Sequence, residues 1–255
     1  MLRFVTYLFP GLLTVAGLVA IVPVQAAAID NQAQYEACMA LLQRDPAGAL
    51  DSAVEWEKQG GGDPARHCKA LAMIRTGEVE DGALELERVA EAMPQVKAPL
   101  AAELFAQAGQ AWVKAGNAER ALYAQNQGLK LNPNDVELLI DRALTFGTAG
   151  MYFEALDDLN AAVDLDPNNP DVYSMRAAAY RQLENPDLAQ DNIEHALKIS
   201  PSHPGALLER GYLRRASGDL AGARSDWLTV IQVLPGTDIA AEAQKNIEKL
   251  DIKGQ

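Results

Sequence analysis

The feature that most constrains the fold is a set of four prolines spaced 34 residues apart, at Pro133, Pro167, Pro201 and Pro235. Between successive prolines lie two segments whose apolar residues recur at helical spacing, and a short turn separates the two segments. Because proline has no amide hydrogen, it ends the second helix of each pair. A fixed period of this length is typical of repeat proteins, so we predict an all-α solenoid of antiparallel helix pairs.

Residue size also repeats within each 34-residue unit. If Pro133 is position 32, small residues occupy positions 8, 20 and 27, where crossing helices leave little room, and large residues occupy positions 4 and 11. Position 8 holds Gly109, Ala143, Ala177 and Gly211, position 20 holds Ala121, Ala155, Ala189 and Ala223, and position 4 holds Phe105, Leu139, Tyr173 and Leu207. These residues are the expected packing seam between helices.

This pattern resembles the tetratricopeptide repeat, and the resemblance covers about half of the chain, from Ala102 to Pro235. It implies a right-handed superhelical solenoid with a concave groove that binds proteins or peptides. We expect two degenerate repeats at 27–94, a linker at 95–101, four repeats at 102–235, and a capping helix and tail at 236–255.

The N-terminal segment predicts export. An uncharged run from Phe4 to Ala28 follows Arg3 and ends in small residues, which is typical of a signal peptide, here assigned to residues 1–26. This predicts a periplasmic or secreted protein with no membrane insertion after cleavage. The alternative is an inner-membrane anchor formed by residues 4–28. In an oxidising compartment Cys38 and Cys68 are expected to form a disulfide, and two buried free thiols are the alternative.

No residue pattern indicates catalysis. A formal charge of −13 disfavours nucleic acid as a partner. A metal site at Cys38, His67 and Cys68 lacks a fourth ligand, so we expect no metal, no cofactor and no enzymatic activity. Arginines recur at position 7 (142, 176 and 210) with Asp158, Asn192 or Asp226 at position 23, which predicts a polar bridge within each repeat.

The resemblance places the binding groove at positions 2, 5, 9 and 12 of each first helix. There the sequence combines acidic residues on one edge, an apolar floor and arginines on the far edge, which suits a peptide with an apolar anchor and mixed charge. The predicted groove residues are Glu103, Gln110, Glu137, Ile140, Leu144, Asp171, Arg181, Leu208, Tyr212 and Arg215.

Family members that grip a C-terminal carboxylate use Lys at position 5 and Asn at position 9, and this chain has neither. The expected partner is another envelope protein or peptide. The alternative is a self-assembling scaffold, a homo-oligomer that uses the convex face or the capping helix while the groove stays solvated.

Overall fold

The computed structural model describes residues 30–253, and this part of the chain consists of thirteen α-helices, one 3₁₀ turn at Gln95–Lys97 and no strand. The all-α prediction is therefore confirmed. The predicted signal peptide at 1–26 lies outside the described residues. The helices are α1 (Asn31–Leu42), α2 (Pro46–Lys58), α3 (Gly62–Thr76), α4 (Val79–Ala92), α5 (Ala98–Lys114), α6 (Ala118–Leu131), α7 (Val136–Thr148), α8 (Tyr152–Leu165), α9 (Pro170–Gln182), α10 (Pro186–Ile199), α11 (Pro204–Ser217), α12 (Leu220–Val233) and α13 (Asp238–Lys253).

The periodic prolines mark the helix ends as the sequence predicts. The helices α6, α8, α10 and α12 each end two residues before one of them. After the turn, Asn169 caps α9 by accepting a hydrogen bond from the amide of Asp171, and Pro170 is the first residue of that helix. Proline suits this position because its missing N–H would have no partner in the first helical turn.

The small residues of the repeat allow neighbouring helices to cross closely. A Cβ atom added to Gly128 would lie 2.6 Å from Cδ2 of Leu138, and one added to Gly109 would lie 2.8 Å from Cγ of Gln125. Ala121 and Ala223 are fully buried. Larger side chains at these positions would force the helices apart, since protein interiors are close-packed.

The core continues through the region between the degenerate and the regular repeats. The helix α5 begins at Ala98, within the expected linker 95–101, and Ala101 is buried in the same cluster as Leu86 of α4 and Trp112. Pro99 fits the first turn of α5 for the reason given above. A single apolar cluster therefore joins α3 and α4 to α5 and α6.

The helix α13 closes the C-terminal end of the stack. Its residues Ala243, Ile247 and Leu250 are buried and share a cluster with Trp227 of α12. An apolar face that covers the last repeat is what a solenoid needs, because its terminal repeat would otherwise expose its packing surface to water.

Two of the three predicted arginine bridges are present. The guanidinium of Arg142 donates to both carboxylate oxygens of Asp158 at 2.8 and 2.6 Å, and Arg210 donates to Asp226 at 2.9 and 2.7 Å. At the third position the side-chain amide of Asn192 instead donates to the carbonyl of Leu188 at 2.8 Å. Within the described residues, the buried Nε of Arg176 has no hydrogen-bond acceptor.

Replacing Asn192 with Asp is therefore expected to stabilise the protein by about 1 kcal/mol, because a carboxylate would accept hydrogen bonds from Arg176 as Asp158 does from Arg142. Urea denaturation of the two proteins measures the change. In an Arg176→Gln background the same substitution should destabilise, since it would bury an unpaired carboxylate. An equal effect in both backgrounds would contradict the predicted bridge.

Candidate functional site

The predicted groove residues lie on the first helices of the four regular repeats, α5, α7, α9 and α11, but they differ in exposure. Glu103 and Gln110 on α5, and Glu137 and Leu144 on α7, are exposed, and Ile140 is half-buried. On α11, by contrast, Leu208 is only 7% exposed and belongs to the core. The N-terminal half of the predicted groove, on α5 and α7, is therefore more open to solvent than the part on α11.

An apolar cleft opens between α7 and α9. It has a volume of about 210 Å³, and we call it the α7–α9 cleft. Leu144, a predicted groove residue, is 50% exposed on its wall. Gly147 widens the cleft because it has no side chain and no atom lies within 4 Å of where its Cβ would be. The other lining residues are Ala143, Thr148, Tyr152, Ala155, Leu159, Met175, Ala178, Ala179 and Gln182.

Acidic side chains lie along one side of the predicted groove. Gln110 donates to Asp141 at 2.8 Å, and Gln107 donates to Glu103 at 3.0 Å. Neither Glu103 nor Glu137 forms an ion pair with any residue between 30 and 253. Two exposed carboxylates on successive first helices favour a positively charged ligand.

On α9, the next first helix, the acidic groove residue Asp171 already contacts the side chain of His203. Oδ1 of Asp171 lies 3.0 Å from Nε2 of His203, and Nδ1 of the same imidazole accepts a hydrogen bond from the amide of Ala206 at 3.2 Å. His203 thus caps the N-terminus of α11 and links it to α9. Asp171 consequently has less capacity to bind a ligand than Glu103 or Glu137.

Side chains fill the C-terminal half of the predicted groove. Nε of Arg181 donates to Glu209 at 2.5 Å, and its guanidinium carbon lies 4.5 Å from the centre of the Tyr212 ring. Burial raises the pKa of Glu209, although the hydrogen bond and charge of Arg181 oppose that change. The helices approach closely here, since a Cβ on Gly205 would lie 2.8 Å from Oγ of Ser174. The charge of Arg181 is therefore engaged within the protein.

Tyr212 and Arg215 are likewise bonded to the capping helix. The hydroxyl of Tyr212 donates to Glu242 and accepts from Nδ2 of Asn246 at 2.9 Å. Burial, together with the Glu242 hydrogen bond, raises the pKa of Tyr212 to about 12. Arg215 donates to Oδ1 of Asn246 at 3.4 Å. These contacts tie α11 to α13 and leave little free surface in this half.

The structure also contains an apolar-walled cavity that the sequence pattern did not indicate. It lies between α1, α3 and α5, has a volume of about 400 Å³, and is called here the α1–α3–α5 pocket. Glu103 is the only predicted groove residue that lines it. Its other walls come largely from degenerate repeats, which do not match the consensus positions. Besides Glu103, it is lined by Gln32, Tyr35, Asp63, Pro64, His67, Met93, Lys97, Leu100, Leu104 and Gln107.

The two cysteines lie beside this pocket. Cys38 on α1 and Cys68 on α3 have their Cα atoms 6.4 Å apart, a distance that fits a disulfide. Both side chains are buried. Such a bond would join the two helices that form two walls of the pocket. Across residues 30–253, His, Cys, Asp and Glu side chains do not gather in a group of three that could hold a metal ion.

His67 is expected to make stability depend on pH. Burial lowers its pKa from the ordinary value of 6.5, against the opposing effects of Gln107 and Glu103. Because the unfolded chain then binds a proton that the folded chain does not, this contribution to stability is present above the unfolded pKa and is lost as the pH falls through the lowered folded pKa.

Urea denaturation from about pH 7.5 to about pH 5 checks this dependence. The wild-type protein should lose more stability over that range than a His67→Gln variant, in which the titrating group is absent. Parallel stability curves for the two proteins would show that His67 does not titrate as its burial requires.

None of the helices between residues 30 and 253 combines the length and the apolarity that crossing a bilayer requires.

Sequence and fold comparisons agree on the class of protein. A tetratricopeptide-repeat profile matches residues 108–179, and a second profile of the same description matches residues 170–203. With the helix-pair solenoid and the 34-residue period, these matches show that the chain is a tetratricopeptide-repeat protein. This family membership supports a non-catalytic role in protein interaction. No curated protein sequence matches the chain.

Several solved structures share the fold. PilF of Pseudomonas aeruginosa is 16% identical with a TM-score of 0.63, and the alignment covers 85% of this chain and 97% of that one. YrrB, described as a tetratricopeptide-repeat protein with an unusual peptide-binding site, is 22% identical with a TM-score of 0.58 and coverages of 70% and 90%. MamA from Desulfovibrio magneticus RS-1 is 20% identical with a TM-score of 0.57 and coverages of 69% and 97%. At these identities the similarity shows the fold alone.

Proposed function

We propose that this protein is a non-enzymatic adaptor that binds a peptide segment of a partner protein in the N-terminal half of its concave groove. The observation that carries the proposal is the α7–α9 cleft, in which Leu144 remains half-exposed although Leu208, the predicted groove leucine of α11, is buried. A half-exposed leucine on the wall of an apolar cleft is a suitable contact for an apolar side chain of a ligand.

The size and charge of the groove support a particular kind of peptide. A cleft of about 210 Å³ has room for a single large apolar side chain. Covering a leucine fully contributes about 1.5–3 kcal/mol, so the remaining exposure of Leu144 supplies part of that energy on binding. Glu103 and Glu137 lie on α5 and α7 and favour basic residues beside the apolar anchor.

The proposed location is the bacterial cell envelope. The pattern of residues 1–26 supports export, and the distance between Cys38 and Cys68 fits the disulfide that an oxidising compartment would allow. The proposed partner is accordingly another envelope protein or a peptide from it. Peptide binding by the similar solenoid YrrB, as its description states, is consistent with this proposal.

A double variant tests the groove. Glu137→Lys combined with Leu144→Asp should abolish partner binding without loss of helicity, because it reverses the charge and places a carboxylate in the apolar cleft. The mature protein would be cross-linked in its own cell envelope and pulled down, with the variant in parallel. A matched control, Phe153→Asp with Glu154→Lys, makes the same kinds of change on exposed residues of α8 and should retain the partner.

The outcomes separate three possibilities. Loss of a cross-linked partner only in the groove variant supports the proposal and identifies the pathway. A partner that both variants retain would move the binding site away from the α7–α9 cleft. Cross-links between copies of this chain alone would favour the scaffold instead.

A self-assembling scaffold is the second candidate because one row of apolar residues is exposed outside the groove. Leu165, Ile199 and Val233 end α8, α10 and α12 at 34-residue intervals and are 43%, 39% and 42% exposed. Aligned aliphatic side chains of this kind can pair with the same surface of another copy. Light scattering over a range of protein concentrations measures this, since a scaffold grows in mass with concentration and a monomeric adaptor does not.

A further inference from the structure

The α1–α3–α5 pocket has the size and construction of a binding site. Its volume of about 400 Å³ falls within the range of about 300–1,000 Å³ that is usual for ligand pockets. One wall is apolar and is formed by Pro64, Met93, Leu100 and Leu104. Leu100 is 48% exposed there, although it belongs to a well-packed helix. An apolar group of a ligand would cover this surface.

Four polar side chains of the lining form a continuous network of hydrogen bonds. The hydroxyl of Tyr35 and Nδ1 of His67 are 2.9 Å apart, Nε2 of His67 lies 2.9 Å from Oε1 of Gln107, and Nε2 of Gln107 donates to Glu103 at 3.0 Å. All of these hydrogen bonds form together when the imidazole of His67 is neutral, donates from Nε2 to Gln107 and accepts at Nδ1 from the Tyr35 hydroxyl. The polar side chains are thus held in place before a ligand arrives, which lowers the entropy lost on binding.

The wall formed by α1 packs against α2 and α3 through apolar residues such as Leu42, and three specific links add to this packing. The first is the Tyr35 to His67 hydrogen bond, the second is a hydrogen bond of 3.2 Å from Nε1 of Trp56 to Asn31, and the third is the Cys38–Cys68 pair. Among residues 30–253, α1 packs mainly against α2 and α3. The pocket therefore depends on these attachments more than a cleft inside the array would.

The charges at the rim favour a basic ligand group. Asp63 and Lys97 face each other at 4.0 Å and balance one another. Glu103 contributes a carboxylate that is hydrogen-bonded by Gln107 but not neutralised by a cation within residues 30–253. The net charge beside the apolar wall is negative.

We propose that the α1–α3–α5 pocket is a second binding site, which takes an apolar side chain next to a basic residue of the partner peptide. This inference rests on the proposed function, since it assumes a peptide ligand. The apolar side chain covers Leu100 and Met93, and the adjacent basic group pairs with Glu103. Glu103 lines the pocket and also belongs to the predicted groove, so one peptide can extend from the pocket towards the α7–α9 cleft.

The test uses the full chain, labelled at leucine and methionine methyl groups for NMR titration with acetyl-leucyl-arginine amide. We expect saturable shifts of the Met93 and Leu100 methyl signals. The acidic probe acetyl-leucyl-glutamate amide should bind about fivefold more weakly. Leu100→Asn should weaken binding of the basic probe about tenfold, because it removes the apolar contact without adding a carboxylate. Leu220→Asn, which changes a similarly exposed leucine of α12 in the same way, should leave it unchanged.

Different results would overturn the inference. Absence of saturable shifts at Met93 and Leu100 would show that the pocket does not bind the probe. Equal binding of the two probes would show that Glu103 does not select a basic group. Shifts confined to Leu144 and Met175 would place the probe in the α7–α9 cleft, which would support the proposed function while contradicting the second site. Binding at the pocket with no partner recovered from the cell envelope would contradict the adaptor function but keep the site.

Reduction of the protein tests the attachment of α1. A phosphine reductant that converts the Cys38–Cys68 bond into two thiols should weaken binding of the basic probe, while the methyl signals of α7 and α9 keep their positions. Unchanged binding in the reduced protein would show that the cysteine pair does not hold the pocket in shape.

Discussion

Trp227→Ala is expected to lower the free energy of unfolding by about 3–5 kcal/mol, because it removes the largest fully buried side chain of the described structure. The indole packs against the backbone of Gly211, and its Nε1 donates to the carbonyl of Leu208 at 3.2 Å. It also shares a cluster with Ile247 and Leu250 of the capping helix. The resulting cavity would lie where three helices meet, so α13 should become the least protected helix in hydrogen exchange.

Leu228→Ala is the matched control for this prediction. It truncates the neighbouring residue of α12, which is 45% exposed and faces solvent. The expected loss is below about 0.5 kcal/mol, as for most exposed positions. Urea denaturation of the three proteins measures both changes. Similar losses for the two variants would mean that the capping helix does not depend on Trp227.

Loss of the Cys38–Cys68 bond is expected to lower the melting temperature of the protein. The bond would close a loop with a sequence separation of 30 residues, for which loop entropy predicts about 3–4 kcal/mol. In a solenoid each repeat contacts only its neighbours, so the loss should be concentrated in α1 and α2. Thermal denaturation with and without reductant, followed by circular dichroism, measures the effect.

A variant with both cysteines replaced by serine provides the control, because its melting should not respond to reductant. It should melt near the temperature of the reduced wild-type protein. Two titratable thiols in the untreated wild-type protein, with a melt that reductant leaves unchanged, would show instead that Cys38 and Cys68 are free.

Local features of the sequence accounted for most of the fold. Helix pairs follow from apolar spacing within a dozen residues, and helix ends follow from proline and from capping residues such as Asn169, so both are decided by neighbours in the chain. The tight crossings at Gly109 and Gly128 were also predictable, because a small residue that recurs at the same position of each repeat indicates a close approach of two helices. The Arg142 to Asp158 bridge could be inferred since both residues belong to one helix pair.

The openness of the groove could not be inferred in this way. Arg181 and Glu209 are 28 residues apart and belong to different repeats, so their pairing depends on how closely α9 approaches α11. The consensus positions give the direction in which a side chain points but not the distance to the next helix. Leu144 and Leu208 occupy positions 9 and 5 of equivalent helices, yet one is half-exposed and the other is buried.

The sequence by itself thus determined the all-helical repeat architecture and the side of each helix that carries the predicted groove, because both depend on periodic local patterns. Only the tertiary structure decided which part of the groove is open and that a second pocket exists between α1, α3 and α5. Those properties depend on distances between side chains that lie far apart in the chain, such as Tyr35, His67 and Gln107. No local pattern encodes such distances, since they are set by the packing of whole helices.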